Sequence, residues 1–381
     1  MVAKESRPAG LASIPMVDLR SSLDAAETAI SRYLHEMHES GQYILGPQTR
    51  AFEREFAEAM GGVDAVGVGT GTAAIELCLR DAGIAAMANS GAPCEVMVPG
   101  MTSLFTAIAA VTVGARVRVA DVSPDTLLLT PETVDRAWTP NIRAVIAVHL
   151  YGQPCNLPAI AEICRERGAV LIQDACQAHG AFYRGLPLSH FSPYCAYSFY
   201  PTKNLGCLGD GGAIVTSDPE VAKRLRQWRD GGRLGDQLCR LPGINSRLDE
   251  LQACYLRGLL PLLSAGNARR KQIATRYRQL LSGFGGIRLL DWDEDSVHHL
   301  FVARSPRRDA LRASLGEHGV QTGIHYPVAI HEQPGLAPYI SWAEEPVHAT
   351  AAAREVLSLP IGPHLTEEHA EQVAGLLGAW V

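Results

Sequence analysis

Between Ala65 and Thr216 the chain alternates short apolar runs with amphipathic segments, and no other feature limits the fold as strongly. The runs are Ala65–Val68, Glu95–Val98, Arg116–Val119, Ala144–His149, Val170–Ile172, Ala196–Phe199 and Gly212–Thr216. Helical periodicity fills most of the gaps, as in Thr72–Ala82, Thr102–Val113 and Leu157–Arg167. Strands that are apolar throughout are buried on both faces, and strands separated by helices pair in parallel. We therefore expect an α/β fold whose large domain holds a mostly parallel, seven-stranded sheet between helices. Two further helical patterns, Leu23–Met37 and Thr49–Met60, precede it. A second, smaller α/β pattern follows the amphipathic run from Leu248 to about Leu280. With 381 residues there is length for both units. We place the large domain, with its N-terminal segment, at residues 1–255 and the small C-terminal domain at 256–381. The division falls inside that helical run, near Gln252–Leu263.

Composition excludes several classes of function. Hydrophobic residues make up 47% of the chain, too many for wholesale disorder. The net charge of −6 argues against a protein held to nucleic acid by its overall charge. The nine cysteines form no Cys-x-x-Cys pair and no disulfide-type spacing, so we read them as reduced residues of a cytoplasmic protein, with no metal site. The leader through Pro15 lacks the apolar run of a signal peptide. The most apolar stretch, Leu104–Ala115, is too short to span a membrane.

Four turns carry chemistry. In GVGTGTAAIELCL (Gly67–Leu79) a strand runs into Gly69-Thr70-Gly71-Thr72 and a helix opens. Glycines admit an anion to the backbone, and a helix N-terminus favours negative charge. The bland alternative is a Thr-capped turn, and the two stand even. Gly69, Gly71 and Ala74 also fit a loose dinucleotide fingerprint, but the next strand ends in Val98-Pro99 without the acidic residue a ribose needs. In AVLIQDACQAHGA (Ala169–Ala181) the strand ends in Asp174, with Gln177 three residues on. A carboxylate there can hold a protonated ring nitrogen, although by itself it reads more simply as a helix cap. In AYSFYPTKNLGCLGDGG (Ala196–Gly212) Lys203 sits among aromatics and glycines. The chain has only four lysines, and the others fall in the leader (Lys4) or on amphipathic helices (Lys223, Lys271). If a lysine is the amine nucleophile it is Lys203; a lone loop lysine is otherwise solvated. The fourth turn, GIHYP (Gly323–Pro327), brings His325 and Tyr326, and a packed histidine is the plain alternative there. A phosphate cradle, a carboxylate for a pyridinium and an amine nucleophile together make the parts list of pyridoxal 5′-phosphate.

At this point the sequence resembles the DegT/StrS family of sugar aminotransferases, fold type I pyridoxal-phosphate enzymes. The resemblance runs from IPMVDL through YILGP, GTGTAAIEL, VHLYGQP, QDACQAHGA, SFYPTKNLGCLGDGG, GINSRLDELQA and TGIHYP to LSLPIGPHLTEEH. It implies that Lys203 forms the Schiff base and moves the proton, and that Asp174 pairs with the pyridinium nitrogen. Gln177 would hydrogen-bond the ring's phenolic oxygen, while Gly71, Thr72 and Ser198 hold the phosphate. Asn245 resembles the residue that reaches the neighbouring subunit's cofactor, which implies a homodimer with shared active sites. Arg247, His325 and Tyr326 would touch substrate. Relatives that dehydrate sugars carry histidine at the lysine position, so Lys203 implies transamination from an amino acid, L-glutamate, to a ketosugar. The Lys203 block is most similar to members acting on a nucleotide-linked 3-keto-deoxyhexose. An aminocyclitol or other-position sugar aminotransferase, and a non-catalytic cofactor-binding regulatory protein, are the alternatives.

The chain departs from the family pattern in three places. Ser103 stands where many relatives have the aromatic that stacks on the cofactor. The stretch Gly231–Gly243 lacks the aromatic of the usual loop. Cys176 and Cys207 replace alanines beside Asp174 and Lys203, so thiol reagents are expected to inactivate.

Overall fold

The computed structural model describes residues 13–380, so most of the leader, including Lys4, lies outside the described residues. Helices α1 (Arg20–Ser40) and α2 (Pro47–Ala59) lead into strand β1 (Asp64–Val68) and helix α3 (Gly71–Asp81). Next come α4 (Ile84–Asn89), β2 (Glu95–Pro99), α5 (Leu104–Thr112), β3 (Arg116–Ala120), α6 (Pro131–Ala137) and β4 (Ile142–Val148). Helix α7 (Leu157–Glu166) precedes β5 (Val170–Asp174), and the two-residue strands β6 (Phe182–Tyr183) and β7 (Leu186–Pro187) form a hairpin. Strands β8 (Cys195–Ser198) and β9 (Gly212–Thr216) and helix α8 (Pro219–Arg229) follow. All seven expected strands are present, within two residues at either end.

They assemble in the order β1-β9-β8-β5-β4-β2-β3. Only β9 runs against the rest, pairing antiparallel with both β1 and β8. The reason is its connection. Residues 199–211 return the chain from β8 without a helix, and a parallel crossover needs one. That helix-free return is the segment carrying Lys203. The sheet is the expected mostly parallel one, buried on both faces: Val96, Met97, Val98, Val145, Ile146 and Ile172 have no exposed surface.

The amphipathic run after Leu248 is two helices, α9 (Glu250–Leu259) and α10 (Leu263–Leu281), separated by a 3₁₀ turn at Leu260–Leu262. Pro261 lies in that turn, where it removes an N–H that a continuous helix would use. Beyond it, β10 (Arg288–Leu289) and β11 (Phe301–Arg304) pair antiparallel, and helix α11 (Arg308–Glu317) follows. After β12 (Ile340–Trp342) and α12 (Val347–Glu355), β13 (Val356–Leu359) joins β11 antiparallel and α13 (Glu367–Trp380) ends the fold. Ile273, Tyr277 and Leu281 of α10 and Val373 and Leu377 of α13 share a second core with Phe301, Leu357 and Leu359.

The apolar pattern did not foretell β12. It leaves the C-terminal region and adds an eighth strand to the large sheet, parallel to β3 at its edge. No described helix is long and apolar enough to cross a membrane.

Candidate active site

The site forms where β1, β5 and β8 end. Strand β1 is held at its far end by a buried clamp: Glu53 of α2 accepts the Gly67 N–H (2.8 Å), and Arg229 bonds both Glu53 and the Gly67 carbonyl. The chain then turns at Thr70, whose hydroxyl caps α3 by accepting the Ala73 N–H (3.0 Å). The N–H groups of Gly71 and Thr72 find no acceptor among the described residues and face outward as an anion site. A side chain at Gly71 would lie 2.7 Å from Cβ of Ser198 and 2.8 Å from Sγ of Cys176. Gly212 is equally constrained: its Cβ would sit 2.5 Å from the Thr70 carbonyl carbon. These two glycines let the β1, β5 and β8 ends meet closely enough to share one ligand.

Asp174, at the end of β5, is buried. One carboxylate oxygen accepts from the Thr106 hydroxyl (2.8 Å) and the other from the Cys176 N–H (3.2 Å). Thr106 in turn meets Thr102 (3.1 Å). Sequence reasoning missed Thr106, because its partner lies 68 residues away. Gln177 is buried too. Its Oε1 accepts the Tyr151 N–H (2.6 Å) and its Nε2 donates to the Tyr326 hydroxyl (3.0 Å).

Lys203 has no hydrogen-bond or ion-pair partner for its amine among the described residues. Burial holds its pKa below the usual lysine value, against the opposing pull of Cys176 and Asp174. His325 donates or accepts at Nδ1 with the Ser358 hydroxyl (2.9 Å), and burial, together with Lys203, lowers it to about 4. His299, bonded to Asn204 beside Lys203 (3.1 Å), is likewise kept neutral by burial. Burial pushes the Tyr326 phenol up to about 12, so it remains an O–H.

The structure thus gathers Gly71, Thr72, Asp174, Gln177, Ser198, Lys203, His325 and Tyr326. Two named residues stand apart from this group: Arg247, and Asn245, which the resemblance assigns to the neighbouring subunit's cofactor. Asn245 is exposed, and Arg247 is tied to Asp230 (2.9 Å), which also binds Arg233 (2.7 Å). Between them Ser246 accepts the Gly69 N–H (3.0 Å), which keeps this segment beside the phosphate turn. Ser103 is the N-cap of α5, and Phe105, two residues on, is 56% exposed. Two cysteines behave differently from expectation. Burial raises Cys176 well above the ordinary thiol value and Cys207 to about 12, so neither offers a ready thiolate. The exposed thiol is Cys239.

These residues fit pyridoxal phosphate on their own chemistry: a cradle of free N–H groups, a buried carboxylate, and an unpaired amine of lowered pKa. Comparison with known proteins agrees. The DegT/DnrJ/EryC1/StrS aminotransferase family matches residues 24–377. The dTDP-3-amino-3,4,6-trideoxy-alpha-D-glucose transaminase of Streptomyces venezuelae is 41% identical over 369 residues, covering 96% of each chain. The crystal structure of S. venezuelae DesV in complex with a ketimine intermediate superposes with a TM-score of 0.91 at 40% identity, over 97% of this chain and 98% of that one. NtdA from Bacillus subtilis, solved with bound cofactor PMP, gives 0.86 at 27% identity over 98% and 87%.

Proposed function

Because this chain belongs to the DegT/DnrJ/EryC1/StrS aminotransferase family, we propose that it moves an amino group from L-glutamate to a nucleotide-linked 3-keto-deoxyhexose. It is a pyridoxal-phosphate-dependent sugar aminotransferase. The finer reading leans on the likeness to the dTDP-3-amino-3,4,6-trideoxy-alpha-D-glucose transaminase, while Lys203, a buried unpaired amine of lowered pKa near Asp174, is the observation that carries the transamination itself.

Bound there, pyridoxal phosphate supplies a carbonyl that condenses with amines and a ring that accepts an electron pair. The protein supplies the rest. The N–H groups of Gly71 and Thr72, with Ser198, hold the phosphate, and the α3 N-terminus adds its dipole. Asp174, fixed by Thr106 and the Cys176 N–H, keeps a proton on the ring nitrogen. Lys203 would be the group that bonds the cofactor's carbonyl carbon and, as a free amine, would carry a proton between the two carbons on either side of the transferred nitrogen. Its lowered pKa suits both directions. His325, kept neutral by burial near Lys203, is the hydrogen-bonding group offered to the sugar.

A homodimer with shared sites is part of the proposal. Asn245 is exposed beside the phosphate turn, where a second subunit's cofactor would meet it. Exposed apolar side chains lie at the start of α9 and on the segments tied to it: Leu208 (44%), Leu251 (46%) and Ile44 (51%). Gln252 ties the first two together through the Leu208 backbone, and Ile44 bridges Asp249. Such a contiguous patch is the mark of a partner surface.

The test is spectroscopic. The purified protein with pyridoxal phosphate should show a visible band, lose it on adding L-glutamate, and regain it when a dTDP-linked 3-ketohexose follows. Lys203→Ala should lack the band from the start. Failure of L-glutamate and other common amino donors to change the spectrum would overturn the reading; recovery with a keto-cyclitol but no nucleotide sugar would move the acceptor.

A further inference from the structure

Four hydrogen-bonding groups beside Asp174 close into a ring. Gln177 Oε1 accepts the Tyr151 N–H; the Tyr151 hydroxyl donates to the His325 carbonyl; His325 is covalently joined to Tyr326; and the Tyr326 hydroxyl accepts from Gln177 Nε2. The ring leaves the Gln177 amide a single orientation, since the Tyr151 N–H can bond only to oxygen. One N–H of Gln177 therefore goes to Tyr326. The other has no partner among the described residues, on a side chain that is 5% exposed. An unpaired donor so deeply placed is aimed at the ligand.

We propose that Tyr326 is a positioning residue that acts through Gln177, holding that amide so that its free N–H meets the cofactor's ring oxygen. Tyr326 belongs to the segment anchored to β13 through the Gly323–Ser358 bridge, whereas Gln177 follows β5 of the large sheet. The C-terminal region thereby reaches the cofactor's electronics without touching the cofactor. The inference rests on the cofactor site proposed above.

A double-mutant cycle on the loaded enzyme tests it. Tyr326→Phe removes only the hydroxyl and should shift the visible band and lower kcat about tenfold, with KM for L-glutamate little changed. Gln177→Met should do the same or more. In the Gln177→Met background, Tyr326→Phe should add nothing, because its route is gone. Independent, multiplying effects, or a Tyr326→Phe effect confined to KM for the sugar, would overturn the proposal. Tyr151→Phe gives a second reading should Tyr326→Phe fail to fold: it removes the hydroxyl that closes the ring on the His325 carbonyl, so a smaller band shift in the same direction supports the ring, and an unmoved band breaks it. Equal melting temperatures of the cofactor-free variants confirm that the fold is intact. If the wild-type protein shows no visible band with pyridoxal phosphate, the proposed function fails instead.

Discussion

Asp174 depends on a residue that has no chemistry of its own. The Thr106 hydroxyl is one of two donors that hold its carboxylate at the strand end. Thr106→Val keeps the shape and removes the donor, so kcat/KM should fall by roughly five- to thirtyfold, about 1–2 kcal/mol, with cofactor affinity reduced in parallel. Steady-state kinetics and a cofactor titration check both; unchanged kinetics would show that the Cys176 N–H suffices. The contrast between the two residues shows what a sequence reveals at this scale. Asp174 was legible only in company: alone it reads more simply as a helix cap, and the phosphate turn and Lys203 give it a role. Thr106 was not, since a threonine on a helix face gives no sign of a partner on another strand. Tyr151 stands in one of the family blocks, yet its role comes from a backbone N–H, which no side-chain pattern encodes.

Among the elements, α2 shows how a distant segment completes a helix end. Its Ncap is Gly46, which offers no side-chain acceptor, and Pro47 occupies the first turn. Glu250, at the start of α9 and fully buried, instead accepts the Gln48 N–H (2.9 Å) and the Thr49 N–H (2.7 Å). The carboxylate thereby satisfies two donors and offsets the helix dipole. Glu250→Gln leaves one oxygen for two N–H groups and turns an NH₂ toward the other. We expect a loss of about 2–3 kcal/mol in unfolding free energy, read from urea titration. A loss below half a kcal/mol would mean that water replaces the carboxylate. The element scale is also where the sequence reads best. Seven strands stood out because both faces of each are buried, which fixes an apolar run whatever the neighbours. Strand β12 is three residues long and owes its conformation to pairing with β3, so Ile340-Ser341-Trp342 carries no periodic signal. The break between α9 and α10 is marked by Pro261.

The whole molecule buries histidines in the neutral form. Burial lowers His149, His298 and His325 to about 4, with the Gln173 hydrogen bond on His149 only partly opposing it. Unfolded, each takes up a proton near pH 6.5. The unfolded chain therefore binds protons that the folded chain refuses between about pH 6.5 and 4, and stability must fall as pH drops through that window. We expect the melting temperature to be level from about pH 7 to 8 and to decline steadily below 6.5, as the unfolding free energy loses several kcal/mol in all. A melting temperature flat to pH 4 would place these rings in water-accessible, chargeable surroundings. The eighth strand has a different consequence, one that concerns synthesis. A chain emerging from the ribosome completes β3 long before Ile340–Trp342 exists, and until then the backbone donors and acceptors along that edge have no strand to bond. An open edge of this kind recruits strands from other chains. Translation must therefore pass through a period in which the nascent sheet is sticky, and the arrival of three late residues ends it.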